Sequence, residues 1–405
     1  MSVANQKYRN QRKKELLLFL GVIIALGLSW IAGTFRTRAA LTPFLSKAFP
    51  QAGFFEAADE KVYVAWRDKD KRELLGYAAL GEAHGYGGRI RVLTAINPQG
   101  IIDQVVVVEH RETASFFMRV KNRGLIDSLV GKSVGGSLRA GEDVDVISGA
   151  TMTSRALIDS VRKGARDVAR NYLKLNLPPE PRAALNFGGA EIALLVLLLV
   201  GLVGRSRLIP PRPWRRLLRW ASLLTGMVVL GFIFNRPLTL AHINKVILGY
   251  WPAWWSNPYF YLLVLGVLGL FFLTDKNPYC EWFCPFGAVQ DILKVVGGGS
   301  KRLPPSLHRL LRWGQRLAVL VIVCLALYYR NPCTASYEVF GALFHLVGSN
   351  FHFILLGVVL VASLFLHRPW CNYLCPVRPA TEFIRLARRR VGAVLPAMFG
   401  KRNKK

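Results

Sequence analysis

Leu16-Leu17-Leu18-Phe19-Leu20-Gly21-Val22-Ile23-Ile24-Ala25-Leu26-Gly27-Leu28-Ser29-Trp30-Ile31-Ala32-Gly33-Thr34-Phe35 is the first long apolar run of the chain. It follows a basic start containing Lys7, Arg9, Arg12, Lys13 and Lys14. A membrane span needs roughly 20 mainly apolar residues. A cleaved signal peptide is the competing reading, since small residues recur between Ala32 and Ala40. The run is long for the apolar core of a signal peptide, and its length argues for an uncleaved anchor. The polar stretch after it then lies on the far side of a membrane.

Five more apolar runs lie downstream. They are Ile192–Val203 (extended back through Phe187), Trp220–Phe234, Tyr259–Leu273, Leu317–Tyr329 and Phe353–Leu366. The expected fold is a polytopic α-helical membrane protein of about six transmembrane helices with an extracytoplasmic α/β domain. Positive residues collect on the cytoplasmic side of spans. With the N-terminus inside, segments 1–14, 205–219, 275–316 and 368–405 are inside and hold 28 Lys and Arg. The outside loops 236–257 and 330–350 hold only Arg236, Lys245 and Arg330. This asymmetry puts both termini in the cytoplasm of a bacterial inner-membrane protein. The domains expected are 1–35 (N-terminus and first helix), 36–185 (periplasmic), 186–376 (a five-helix core) and 377–405 (a basic tail against anionic lipid).

The composition, 52% hydrophobic with a formal charge of +30, fits apolar spans punctuated by basic loops. Basicity also suits nucleic acid, but the basic residues sit beside apolar runs and no zinc-finger or basic-zipper pattern is present. No nucleic-acid partner is expected. None of the cysteines lies between the first two apolar runs, where a disulfide scaffold would place them.

Between Arg36 and Arg182 the pattern predicts strands at Lys61–Trp66, Leu74–Ala79, Arg89–Ala95 and Ile102–Glu109, with a turn at Asn97-Pro98-Gln99-Gly100. Leu157, Ile158, Val161, Ala165, Val168 and Tyr172 recur at helical spacing. Directly before them stands Asp145-Val146-Ile147-Ser148-Gly149-Ala150-Thr151-Met152-Thr153-Ser154. Small and hydroxylated residues at a helix start leave backbone N–H groups for an anionic phosphate. An ordinary helix cap has the same composition.

This segment resembles the Asp-x-x-Ser/Thr-Gly-Ala-Thr motif of FMN-binding domains in the Rnf and sodium-pumping quinone reductase complexes. Gly85-Tyr86-Gly87-Gly88 and His110-Arg111-Glu112-Thr113 are similar to two further blocks of that family, in the same order. The family's Pro-Gly after Glu-Thr is Ala114-Ser115 here. The resemblance implies FMN joined through its phosphate to Thr151 by a flavin transferase. Ser148, Gly149, Ala150 and Thr153 then surround the attachment, and His110 and Glu112 are candidates to touch the flavin ring.

Tyr279-Cys280-Glu281-Trp282-Phe283-Cys284-Pro285 and Trp370-Cys371-Asn372-Tyr373-Leu374-Cys375-Pro376 repeat one pattern, an aromatic residue and then Cys-x-x-x-Cys-Pro. Each follows an apolar run and precedes a basic stretch, as an internal duplication would. Four thiolates at Cys280, Cys284, Cys371 and Cys375 suit an iron–sulfur cluster, of 4Fe-4S type. Zinc, redox thiols and buried cysteines without a ligand role are the alternatives. Cys324 and Cys333 have no matching motif and read as structural. His242 and His345 fall in the outside loops, where they serve a quinol site or are ordinary polar loop residues.

This half resembles the membrane core of the NosR/NirI family, including its PceC-type members. The resemblance implies electron transfer between a membrane quinol or cytoplasmic donor and a periplasmic reductase or accessory redox protein. A cytoplasmic ferredoxin-like domain, usual in NosR, is not expected, so any cytoplasmic donor is a separate protein. The rival functions are a flavin-based redox sensor regulating a respiratory operon and a membrane scaffold for reductase assembly.

Overall fold

Alternating apolar residues between turn signals build an antiparallel meander in the first half of the chain. In the computed structural model, which describes residues 3–35, 41–180, 185, 187–204, 212–274, 277–298, 301, 303–334 and 336–398, its strands are β1 (Phe54–Ala57), β2 (Val62–Trp66), β3 (Leu74–His84), β4 (Arg89–Ile96) and β5 (Ile102–His110). They pair in sequence order, all antiparallel. The four expected strands are β2 to β5; β1 is additional. The Asn97–Gly100 turn forms because Asn97 Oδ1 accepts from the backbone N–H of Gln99 (3.1 Å) and Ile101 (2.9 Å), while Gly100 takes φ +79°.

Both faces of the sheet are covered. Ile90, Val92 and Ile96 pack under the helix Thr151–Asn171, whereas Leu93 and Ala95, one residue out of phase, meet the short helix Thr42–Ala48. On the long helix, Leu157, Ile158, Val161, Ala165 and Val168 are all 0% exposed, as their spacing predicts. Fully burying such side chains contributes about 1.5–3 kcal/mol each, so tertiary packing holds this helix in place. The approach is close: a Cβ on Gly81 of β3 would lie 1.7 Å from Ser160 O.

The chain divides into two compact units. This α/β layer belongs to the first, Met1–Ala183, together with Asn244–Pro252 and Cys324–Ser336. Gly33 of the first helix, Val3–Phe35, packs on the backbone of Leu327 and Tyr328. The expected domain start at Arg36 lies outside the described residues, as do 205–211 of the second basic segment and the tail end 399–405.

The second unit is helical. Its main elements are Gly189–Val203, Arg212–Thr225 continuing as a π-helix over Gly226–Ile233, Pro258–Thr274, Pro285–Gly297, Pro305–Tyr328 up to Val323, Asn350–Phe365 and Val377–Met398. Among the described residues of the whole chain, three helices are long and apolar enough to cross a membrane: Leu16–Phe35, Pro213–Ile233 and Pro305–Tyr328. Gly189–Val203, Pro258–Phe271 and Asn350–Phe365 are apolar but shorter. Along Gly189–Val203, Leu194, Leu197 and Leu198 are buried while Ile192, Val196 and Leu199 are more than half exposed. A helix apolar on its exposed face as well as its packed face suits a lipid surround. The chain is a membrane protein carrying an α/β domain.

Candidate functional sites

The Thr151 turn is shaped by Gly149, which takes φ +78°, a conformation favouring glycine. Ala150 is the helix N-cap and offers no side-chain cap, and Thr151 is the first helical residue. No side chain caps this helix at Ala150. Its first N–H groups are left for an anion. A Cβ on Gly149 would lie 3.3 Å from Arg119 Cζ, so a guanidinium adds positive charge beside the turn. Ser154 Oγ braces the loop, donating to Ala150 O (3.0 Å) and accepting from Ile147 N–H (3.2 Å).

The two threonines of the turn differ. Thr153 is 1% exposed, and its hydroxyl donates to Glu112 Oε2 at 2.5 Å. Thr151 is only partly buried. Ser148 is exposed. Of the two threonines, Thr153 has its hydroxyl engaged by Glu112, whereas Thr151 keeps part of its surface exposed. These residues fit a flavin phosphate.

Glu112 joins all three sequence blocks. It is 2% exposed, and Oε1 accepts from the N–H groups of Gly87 (2.7 Å) and Gly88 (3.3 Å). Burial pushes its carboxyl up, while Thr153, the glycine N–H groups and Lys245 pull it back. The Gly85–Gly88 loop needs small residues because it lies on this carboxylate. A Cβ on Gly85 would sit 2.5 Å from Glu112 Oε1, and one on Gly87 2.1 Å from Arg111 O.

Sequence reasoning missed the other partners of that loop. Lys245, 5% exposed, donates to Tyr86 O, and burial lowers its ammonium while Cys333 and Glu112 raise it. A Cβ on Gly87 would also meet Cys333 Sγ at 2.8 Å. The Arg111 guanidinium lies 4.1 Å from the Tyr250 ring centre. Lys245, Tyr250 and Cys333 are distant in sequence and carry no motif. His110 is placed differently from Glu112. It stacks on Phe117 (3.7 Å between ring centres) beside a cleft lined by Lys47, Gln104 and Lys121, and burial lowers its pKa. Its Nδ1 is buried without a hydrogen-bond partner.

In the helical unit the two cysteine motifs fold alike. Cys284 N–H bonds Tyr279 O at 2.8 Å, and Cys375 N–H bonds Trp370 O at 2.7 Å. Each turn thus closes over five residues, and a proline follows each second cysteine. All six cysteines are free thiols. The sulfurs of Cys280, Cys284, Cys371 and Cys375 are near enough to interact electrostatically. Cys284 and Cys375 are buried, and Cys280 and Cys371 half-buried. Among the described residues no three His, Cys, Asp or Glu are gathered for a single ion, whose Zn–S bonds would be about 2.3 Å. Four thiols set in or against one apolar cluster supply the donor set that an iron–sulfur cluster takes.

These turns lie inside the helical unit. Tyr279, Trp282, Phe283, Phe286 and Trp370 are each at most 2% exposed. Tyr279 accepts from Leu238 N–H at 2.9 Å, and Tyr337 donates to Leu374 O at 2.6 Å. Leu238 and Tyr337 belong to the loops assigned to the outer side, so both loops reach the cysteine turns. Hydropathy registers the length of a run and not a loop folding back along it. The π-helix contributes too, because a Cβ on its Gly226 would lie 2.5 Å from Phe283 O. His242 bonds Thr239, and His345 contacts Phe232 O.

Residues 85–166 match the FMN-binding domain family, beginning at the glycine loop and ending in the long helix. Residues 256–304 and 351–393 match the 4Fe-4S binding domain, one cysteine motif in each part. The chain is 32% identical to protein NirI of Paracoccus denitrificans over 201 residues, 46% of this chain and 29% of NirI. It is 28% identical to regulatory protein NosR of Pseudomonas aeruginosa over 210 residues, 47% of this chain and 29% of NosR. The chain thus spans under a third of those curated relatives. A component of the ion-translocating oxidoreductase complex of Cereibacter sphaeroides is 33% identical over 142 residues, 31% of this chain and 62% of that component. Flavin and iron–sulfur domains in one membrane-embedded chain, with these relatives, make it a NosR/NirI-like membrane flavoprotein.

Proposed function

We propose that this protein transfers electrons across the inner membrane, between a quinol or cytoplasmic donor and a periplasmic reductase or its maturation system. The pairing of a Glu112-tied flavin turn with two equivalent buried cysteine turns in one chain carries this reading. FMN and a 4Fe-4S cluster, when bound, supply the electron chemistry; the protein holds and tunes them. Thr151 is the covalent attachment point, joined by a flavin transferase. Its neighbours Gly149, Ala150 and Arg119 orient and neutralise the phosphate, and Glu112 locks the turn against the glycine loop. Cys280, Cys284, Cys371 and Cys375 are the metal ligands, and the aromatic residues around them exclude water.

Positive loops support a topology with both termini cytoplasmic, residues 36–185 periplasmic and about six spans. A bilayer core of about 30 Å is too thick for one efficient electron step. Burial of the cysteine turns against Leu238 and Tyr337 supports a centre set within the membrane half, which shortens that step.

Full-length protein in detergent, mixed anaerobically with a quinol, tests the reading. Quinol bleaches the flavin absorbance in the wild type and fails to do so in Cys284→Ala, while dithionite bleaches both. Equal quinol bleaching in the two proteins sinks it. The name of NosR, a regulatory protein, supports a second reading as a redox sensor. Thr151→Ala separates the two: a relay variant loses reductase activity at normal reductase abundance, and a sensor variant loses reductase transcription.

A further inference from the structure

Gln290 is 0% exposed and lies between the two cysteine turns. Its Oε1 accepts from Trp370 N–H at 2.9 Å. A backbone N–H only donates, so this contact fixes the amide orientation. Nε2 therefore faces the other way, donating to Cys371 Sγ at 3.3 Å and to Phe286 O at 3.3 Å. Next to it, Arg368 forms paired hydrogen bonds with Asp291, both 2.6 Å, and a third with Cys280 O at 2.9 Å. Arg219 reaches the same carboxylate at 2.8 Å and Glu281 O at 3.2 Å. Two guanidiniums against one carboxylate leave a net positive charge at the wall of the cysteine site. Arg368 sits at φ +47°, which a non-glycine residue adopts only when its surroundings hold it.

We propose that Gln290 and Arg368 raise the reduction potential of the metal centre on the four cysteines. The proposal rests on the cluster reading and adds the residues that set its potential. Reduction adds one electron to a group already carrying four thiolates, with no bond made or broken. Among Trp282, Phe283, Phe286 and Trp370 the surroundings are of low dielectric, where added negative charge is costly. An N–H donor on a ligand sulfur and a buried guanidinium both offset that cost, and these are the terms by which proteins tune such centres. Gln290 and Arg368 are positioning residues: they act through Cys371 and Cys280. A centre raised in this way suits a quinol donor better than a strongly reducing one.

Gln290→Glu keeps the oxygen that Trp370 N–H needs and removes the donor to sulfur. Arg368→Lys keeps the charge. Full-length proteins are purified without oxygen, assayed for iron and sulfide, and titrated potentiometrically under electron paramagnetic resonance. The expected result is wild-type iron in both variants and a lowered midpoint in Gln290→Glu. At the potential where half of the wild-type centre is reduced, its reduced-to-oxidised ratio falls about tenfold, equivalent to about 59 mV for one electron. Arg368→Lys stays near wild type. An iron-replete Gln290→Glu protein with an unchanged midpoint overturns the proposal, and so does loss of its iron, which would make Gln290 an assembly residue. Wild-type protein without iron overturns the cluster reading itself.

Discussion

Thr153 Oγ1 donates to Glu112 Oε2 at 2.5 Å across 41 residues of sequence, while the other oxygen of that carboxylate accepts from Gly87 and Gly88. One side chain therefore fastens the glycine loop, the end of the sheet and the start of the helix Thr151–Asn171. A hydrogen bond to a charged group contributes about 1.5–3 kcal/mol. Glu112→Gln loses the anion that faces Lys245 and weakens the bond from Thr153. The expected outcome is a loss of about 1–3 kcal/mol, read as a lower denaturant midpoint with an unchanged slope, and reduced flavin load. Unaltered stability and load would remove Glu112 from this role.

Gly87 makes a sharper case, since its hypothetical Cβ meets backbone, Arg111 O at 2.1 Å, as well as Cys333 Sγ. Backbone does not move aside cheaply. Gly87→Ala is expected to cost about 1–3 kcal/mol by overpacking. Amide exchange in the 85–88 loop should rise, whereas Gly131→Ala, in open space but at φ +82°, should leave that loop unchanged.

His110 gives the α/β layer a pH dependence. Burial lowers its folded pKa below the unfolded value of about 6.5. Below that pH the unfolded chain binds a proton that the folded protein resists, so stability is present above pH 6.5 and lost as pH falls towards the folded pKa. The protection factors of the β5 amides in the full-length protein, exchange rates corrected for the slowing of intrinsic exchange in acid, should fall on acidification from pH 7 to 5.5. His110→Asn should flatten that response, and a response as steep as wild type would assign it to another group.

The four motif cysteines and the two others should separate cleanly. Cys284→Ala and Cys375→Ala are expected to lower bound iron and bleach the visible absorbance. Cys324→Ala should keep the iron, because Cys324 lies in the helix Pro305–Tyr328 with no motif partner. Unchanged iron in both motif variants would reject those ligands.

Much of this was readable in the chain. Leu157, Ile158, Val161, Ala165 and Val168 announce a helix face because burial imposes one period on neighbouring residues. Cys280, Cys284, Cys371 and Cys375 stand out because the same spacing occurs twice. The Thr151 turn was legible as a small-residue helix start, although composition alone left it ambiguous with a cap, because a helix cap and a phosphate turn draw on the same residue types. What escaped depends on contacts between distant segments. Lys245 against Tyr86 spans 159 residues, and Gln290 against Cys371 spans 81. Leu238 and Tyr337 belong to loops that hydropathy assigns to one side, yet they touch the cysteine turns, since a span count carries no information about depth.

The flavin bond proposed for Thr151 is read directly on a gel. Wild type and Thr151→Ala are co-expressed with a flavin transferase and compared by in-gel flavin fluorescence after denaturing electrophoresis, with Thr153→Ser as a control that keeps a hydroxyl facing Glu112. A fluorescent wild-type band, retained in Thr153→Ser and absent in Thr151→Ala, is the predicted result. A dark wild-type band despite active transferase, or an equally bright Thr151→Ala band, contradicts it.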